Sequence, residues 1–262
     1  MITVTNYIKA KSLDEAYELN QKPNSKIMGG MMWLRLGRNR INNLIDLSDL
    51  GLDYVKETDE EFLIGAYTSL RTLETHESLN EYTDNAVNEA TRHIVGTQFR
   101  NMATVGGTIF GRYGFSDVLT VFMALDSYVR LHKAGVVSLS DFVNMKYDND
   151  ILVELIVKKK PVKVVYQSVR NTVTDFPTLT CAVSEIDGKK CVVLGARPKK
   201  AQYVVDEDNV LETLNEENIK RFAKYAADTV QTESNMRGSK EYRSHLVKVL
   251  VTRCLTQLME ER

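Results

Sequence analysis

Two short glycine-bearing stretches carry the most specific chemistry in this sequence. One is Thr104-Val105-Gly106-Gly107-Thr108; the other is Gly29-Gly30, which closes Lys26-Ile27-Met28. Residues Gly96, Gly106, Gly107, Gly111 and Gly114 place five of the chain's 14 glycines within 19 residues. Glycine costs backbone entropy wherever it is not required, so that density needs a reason. A backbone without side chains approaches a ligand closely, and consecutive amides then cradle a phosphate without a nearby lysine. Two such loops, distant in sequence, could grip the two halves of a pyrophosphate. Neither is a Walker A loop, because GxxxxGK[ST] is absent, and no GxGxxG occurs. Taken alone, Gly-Gly pairs read first as tight turns, and Met31, Met32 and Trp33 as plain core.

Caps and periodicity outline the elements that must position these loops. Ser12 to Asn20 reads as a helix, with Ser12 as cap and Glu15 completing a capping box. Asn43 to Leu47 reads as a buried strand. Tyr54 to Glu57 and Glu61 to Ile64 read as strands joined by Thr58-Asp59-Glu60. Ser69 to Ser78 and Glu81 to Thr91 look helical, as does Val118 to Leu125, capped by Ser116 or Asp117. Tyr128 to His132 and Val136 to Leu139 are strand-like, and Ser140 is expected to cap a short helix through Met145. Strands are expected at Ile151 to Val157 and Val162 to Arg170. Thr178 to Ile186 and Lys190 to Leu194 flank Asp187-Gly188, the strongest hairpin signal in the chain. Val210 to Leu214, Glu217 to Val230 and Lys240 to Met259 are helical. The texture changes near residue 160, from mixed α/β with glycine-rich loops to a small sheet followed by helices.

Composition excludes several function classes. Hydrophobic residues make up 43% and charged residues 26%, which is globular. Lys+Arg total 34 against 35 Asp+Glu, for a net charge of -1, so a nucleic-acid binder is not expected. No apolar run is long enough for a membrane-spanning helix. The opening Met1-Ile2-Thr3-Val4-Thr5-Asn6 lacks the basic start and apolar stretch of a signal peptide, so a cytoplasmic location is expected. The three cysteines, Cys181, Cys191 and Cys254, match no metal-ligand spacing and are expected to be reduced thiols. They are too few to ligate a [2Fe-2S] cluster. His76, His93, His132 and His245 form no zinc pairing, so no metal is expected on this chain.

The order of the motifs narrows the reading. Lys26-Ile27-Met28-Gly29-Gly30-Met31-Met32-Trp33-Leu34 precedes Asn43-Leu44-Ile45-Asp46-Leu47. Ile64-Gly65-Ala66 follows, then Gln98-Phe99-Arg100-Asn101-Met102-Ala103-Thr104-Val105-Gly106-Gly107-Thr108-Ile109. Ser116-Asp117 and Ala124-Leu125-Asp126 come next, and Arg237-Gly238-Ser239-Lys240-Glu241-Tyr242-Arg243 stands near the C-terminus. Over nearly its whole length this pattern resembles the FAD-binding subunit of the molybdenum hydroxylases, the xanthine dehydrogenase and carbon monoxide dehydrogenase family. The resemblance implies a vanillyl-alcohol-oxidase-like, PCMH-type FAD domain of two α/β subdomains over residues 1–160, divided near residue 50. A small C-terminal α+β domain over 161–262 would follow.

By the same resemblance, Ile27, Met28, Gly29, Gly30, Met31, Met32 and Trp33 form a first pyrophosphate loop. Thr104, Gly106, Gly107 and Thr108 form a second. Asp117, beside Ser116, bonds the hydroxyl-bearing part of the cofactor. Ile94 and Leu152 pack near the isoalloxazine, and Gln167 stands where the family often carries a lysine. Other departures from the family are Thr108 for asparagine, Met31-Met32 for a polar pair, and Arg112-Tyr113-Gly114-Phe115 for a smaller loop. No side chain is expected to be catalytic, because the flavin carries the chemistry. The resemblance implies a dimer of heterotrimers, in which a partner subunit holds [2Fe-2S] clusters and another a molybdenum-pterin. NAD+ or another acceptor would take the electrons. The alternatives are a stand-alone flavoenzyme of the same fold, such as an enolpyruvyl sugar reductase, and a scaffold subunit that has lost FAD.

Overall fold

The computed structural model describes residues 2–260. The first strands and helix are β1 (Thr3–Lys9), α1 (Leu13–Asn20), β2 (Ser25–Met28), β3 (Arg40–Asp46), β4 (Val55–Glu57) and β5 (Glu61–Gly65). Six short helices follow: α2 (Leu70–Thr75), α3 (Glu77–Tyr82), α4 (Ala86–Arg92), α5 (Thr97–Met102), α6 (Val105–Gly111) and α7 (Asp117–Met123). Then come β6 (Ser127–Leu131), β7 (Gly135–Ser138), α8 (Leu139–Asn144), β8 (Leu152–Lys158), β9 (Val162–Arg170), β10 (Pro177–Ile186), β11 (Lys189–Gly195) and β12 (Gln202–Val204). Helices α9 (Glu216–Thr229) and α10 (Lys240–Glu260) end the described chain.

These elements form two compact units interleaved in sequence. The first takes the chain up to Thr72, Thr97–Gly111 and Ser127–Val157; the second takes Leu73–Gly96, Arg112–Asp126 and the chain from Lys158 onward. The first unit contains a three-stranded sheet in the order β1-β3-β2, in which both pairings are parallel. It also contains a five-stranded sheet in the order β4-β5-β8-β6-β7. Ala10, Ala16, Ile45, Leu47, Leu52 and Ile151 make one of its buried clusters. Helix α1 begins as its sequence requires: Ser12 Oγ accepts from Glu15 N–H at 3.1 Å, and the Glu15 carboxylate accepts from Lys11 N–H at 2.7 Å.

The second unit is built on the antiparallel sheet β12-β11-β10-β9. Strand β10 is buried on both faces, and the two faces differ in chemistry. Leu179, Cys181 and Val183 share a core with Ile219, Phe222, Ala223 and Ala226 of α9 and with Leu250, Cys254 and Leu258 of α10. That 3.6-residue spacing buries one stripe of each helix. On the opposite face, Thr180 shares a hydroxyl contact with Thr120 of α7 at 3.1 Å, and Ser184 Oγ donates to the Ala124 carbonyl. A strand lined this way tolerates no outward polar residue without a partner.

Several elements differ from their sequence expectation, each for a local reason. The stretch Ser69 to Thr91 forms three helices rather than two. His76 caps α3 by accepting from Leu79 N–H at 3.2 Å, and Asp84 and Asn85 take positive φ values of 46° and 62°. Ser138, not Ser140, caps α8, with Asp141 N–H donating to its hydroxyl at 3.1 Å. Strand β1 pairs with β3 and strand β12 with β11; neither was anticipated. Val210–Glu212 forms a single 3-10 turn. The hairpin at Asp187-Gly188 has φ values of 50° and 76°, the conformation that favours this dipeptide.

Arg243, in the first turn of α10, is fully buried. Its guanidinium donates to the carbonyls of Thr178 (2.9 Å), Glu233 (2.7 Å) and Gly238 (2.5 Å) and to Asn235 Oδ1 (2.7 Å). It thus ties the start of α10 to β10 and to the turn before the helix. Replacing it leaves several buried acceptors unsatisfied at about 1–3 kcal/mol each. Arg243→Met is therefore expected to lower the thermal midpoint by roughly 10 °C, as read by circular dichroism.

Candidate functional site

The two glycine stretches meet within the first unit. A Cβ on Gly30 would lie 1.6 Å from the Met102 carbonyl oxygen and 3.0 Å from Ala103 Cα. A Cβ on Gly29 would lie 2.9 Å from Thr104 Oγ1 and 3.9 Å from Gly107 Cα. Only glycine at position 30 lets backbone rest on backbone, and Gly29 lies against the Thr104 side chain, so the spacing Gly29-Gly30 … Thr104-Gly107 is a contact and not a coincidence. Met31 follows at φ 60°, in the left-handed region. Among the described residues, the N–H groups of Gly29, Gly30, Met31 and Met32 find no acceptor elsewhere in the chain. A run of open amides around a left-handed residue is the geometry that binds anionic oxygens. Met31, Met32 and Trp33 are half-buried, and Leu34–Leu36 closes the loop as a 3-10 turn.

The second stretch is helical, which its glycines concealed. Thr104 precedes α6, and three amides at that start already have acceptors. Val105 N–H donates to Thr68 O (2.9 Å), Gly106 N–H to Ala66 O (2.7 Å) and Gly107 N–H to Thr104 Oγ1 (3.2 Å). Gly106 is obligatory for packing, since a Cβ there would sit 2.8 Å from the Ala66 oxygen. Gly107 differs: it is exposed, and a Cβ would meet only Thr104 Oγ1 at 3.1 Å. What this stretch can offer a ligand is therefore the bare Gly107 surface and the hydroxyl proton of Thr104; Thr108 is half-buried one residue further on. Leu152 is buried in β8 of the same unit.

The remaining expected residues lie in the second unit. Ser116 caps α7, accepting from Leu119 N–H at 3.0 Å. Asp117 is buried, and its Oδ1 accepts from the Tyr166 hydroxyl at 2.5 Å and from the Arg170 guanidinium. Burial pushes the Asp117 carboxyl above the usual range, against the pull of the Arg170 charge and the Tyr166 hydroxyl. Burial likewise raises the Tyr166 phenol, and the Asp117 charge adds to it. Arg170 also donates to the Asp175 carbonyl at 2.8 Å, while its buried Nε finds no acceptor among the described residues. Ile94 is half-buried and precedes Val95, a β-branched residue at φ 50°. Gln167 lies on the other face of β9, where its amide donates to Gln257 Oε1 of α10 at 3.1 Å. The structure thus brings Tyr166 and Arg170 to Asp117. Sequence reasoning does not single out Tyr166 and reads Arg170 only as a surface or ion-paired residue; it is ion-paired, and the period of two along β9 puts both on one face.

The loop Arg112-Tyr113-Gly114-Phe115 closes around aromatic contacts. Tyr113 stacks on Phe115 at 5.2 Å, and Phe115 meets the edge of Phe176 at 4.6 Å. The Arg237 guanidinium covers Phe176 at 4.8 Å and pairs with Asp175 at 2.9 Å. Gly114 rests against the Lys199 backbone, whose oxygen would lie 2.9 Å from a Cβ. Among the described residues, no group of three His, Cys, Asp or Glu side chains could hold a metal ion, and Cys181, Cys191 and Cys254 are free thiols. No helix there is long and apolar enough to cross a membrane.

The glycine geometry separates two kinds of variant. Gly30→Ala forces the loops apart and is expected to cost about 2 kcal/mol or more, which is several degrees in the thermal midpoint. Gly107→Ala meets no backbone and should melt within a degree or two of the parent. Equal melting temperatures for the two variants would contradict the contact described.

Comparison with known proteins shows the family of this chain. The family model for the FAD binding domain in molybdopterin dehydrogenase matches residues 3–159, and that for the CO dehydrogenase flavoprotein C-terminal domain matches 164–258. The chain is 28% identical to the glyceraldehyde dehydrogenase medium chain of Sulfolobus acidocaldarius, over 97% of this chain and 98% of that one. It is 23% identical to the xanthine dehydrogenase FAD-binding subunit of Escherichia coli O157:H7, over 98% and 97%. Its fold is similar to that of a chain of carbon monoxide dehydrogenase from Hydrogenophaga pseudoflava, with a TM-score of 0.84, 21% identity and 95% of both chains covered. A chain of quinoline 2-oxidoreductase from Pseudomonas putida 86 superposes with a TM-score of 0.82 at 19% identity, covering 96% and 95%. With family models matching both halves of its sequence, this chain belongs to the FAD-binding medium subunits of the molybdenum hydroxylase-type dehydrogenases, an oxidoreductase family.

Proposed function

We propose that this chain holds FAD through the paired glycine stretches and serves as the electron-transferring subunit of a molybdenum hydroxylase complex. The observation that carries this reading is the contact of Gly29-Gly30 with Met102–Thr104 and Gly107, beside the open amides of Gly29 to Met32. Those amides and the hydroxyls of Thr104 and Thr108 would hold the pyrophosphate. Met31-Met32 contributes backbone amides only, so the side-chain bonds of a polar pair are replaced by main-chain ones. In the second unit, Asp117, fixed beside Ser116 by Tyr166 and Arg170, would accept from cofactor hydroxyls through its remaining lone pairs. Ile94 and Leu152 would supply apolar packing to the ring.

When bound, FAD supplies exchange between the one-electron [2Fe-2S] clusters of a partner subunit and a two-electron acceptor such as NAD+. The protein's task is to bind, orient and exclude water. Oxidation of the substrate would occur at a molybdenum-pterin on another subunit. In this reading the FAD-binding domain spans residues 1–160 and the C-terminal domain 161–262.

The test is a visible absorbance spectrum of the purified full chain after incubation with FAD and desalting. A retained flavin spectrum, with FAD released on heating and identified by mass, is expected. A colourless chain that refuses added FAD overturns the proposal. Gly107→Ala, which leaves the fold intact, should weaken FAD about tenfold by placing a methyl where the surface is bare. Titration by flavin fluorescence reads that change.

A further inference from the structure

One four-residue turn holds both glycine stretches. Gly65, Ala66, Tyr67 and Thr68 leave β5 and are themselves anchored: Gly65 N–H donates to Tyr54 O (2.9 Å), Ala66 N–H to Val153 O (2.9 Å) and Tyr67 N–H to Leu52 O (3.0 Å). From that anchored turn, the carbonyls of Ala66 and Thr68 accept the first two amides of α6. The next side chain reaches the other stretch. The Tyr67 hydroxyl accepts from Leu47 N–H at 3.0 Å and donates its single proton to the Met28 carbonyl, with Asp46 Oδ1 at 3.5 Å.

The Met28 carbonyl belongs to the same peptide unit as the Gly29 N–H. In a trans peptide the two point in opposite directions. Pinning the oxygen therefore fixes the direction of the Gly29 amide, the first of the open run. Gly29 could otherwise rotate that plane freely, since glycine has no Cβ to restrain it.

We propose that Tyr67 is a positioning residue of the cofactor site: its hydroxyl orients the 28–29 peptide so that the Gly29 N–H faces an anionic pyrophosphate oxygen. This inference rests on the FAD reading above. Tyr67 touches no cofactor atom in this role. The turn that carries it sets the register of the two stretches, because α6 and the Gly29 loop are bonded to adjacent residues of it.

Tyr67→Phe removes one oxygen and tests the idea on the full chain. Tyr7→Phe is the control, since the Tyr7 hydroxyl donates to the other Asp46 oxygen at 2.5 Å and does not contact Met28. FAD affinity is measured by flavin fluorescence, and the pyrophosphate of bound FAD by phosphorus NMR. Tyr67→Phe should weaken FAD about tenfold and shift a pyrophosphate resonance, while Tyr7→Phe matches the parent in both. Parent-like affinity and resonances in Tyr67→Phe overturn the proposal, as does an equal loss in both variants. A parent chain that retains no FAD sinks the FAD reading instead. Should Tyr67→Phe fail to fold, selective 15N-glycine labelling of the parent decides: addition of ADP must move the Gly29 amide resonance, and an unmoved Gly29 overturns the assignment.

Discussion

The backbone oxygen of Met102 occupies the space that any side chain on residue 30 would need. The meeting of the two glycine stretches depends on that approach. It places a loop that follows β2 against the junction of α5 and α6, segments about seventy residues apart in sequence. Such a junction must be rigid on both sides, or the amides beside it would relax onto each other. The rigidity comes from hydrogen bonds to the turn after β5, not from ion pairs. Carbonyls of Ala66 and Thr68 hold one side, and the Tyr67 hydroxyl holds the other. The first unit thus offers a ligand a surface made mostly of peptide groups.

The second unit solves a different problem, that of burying charge. Asp117 and Arg170 neutralise each other in the interior, with Tyr166 as a further donor. A buried pair of this kind contributes modestly to stability, but losing one partner is severe, because the other charge is left unpaired. Arg170 leads on to Asp175, and Asp175 to Arg237 and the stacked Phe176. A chain of contacts therefore links Asp117 to the turn before α10. That turn is also where Arg243 collects its carbonyls. The Arg237–Arg243 block is in this way a structural joint, consistent with its place at the head of the last helix.

Much of this was legible in the residues. The Ser12–Glu15 capping box, the Asp187-Gly188 hairpin and the apolar stripes of α9 and α10 are local signals, and local signals survive folding. Helix α6 was hidden for the opposite reason. Gly106 and Gly107 depress helix propensity, and the helix exists because packing against Ala66 and bonds to its carbonyl outweigh that cost. Gln167 comes from the resemblance and not from any local signal; the structure sets its amide against Gln257 of α10, on the face of β9 opposite Tyr166. Tyr67 had no signal at all. Its hydroxyl meets Met28, thirty-nine positions away, and only the fold brings them together.

The acceptors around Arg243 have a further consequence. Three are peptide carbonyls and the fourth is an amide oxygen, so none of them gains or loses a proton between strong acid and strong base. Added salt screens exposed ion pairs but does little to a fully buried guanidinium ringed by dipoles. The joint between β10 and α10 is thus indifferent to acidity and ionic strength. In acid, the carboxylates of Asp46, where burial pushes up but the Tyr7 and Ser48 donors win, and of Asp175, held low by Arg237, would be protonated while this joint still stood. The C-terminal helix would then be among the last elements to leave its sheet.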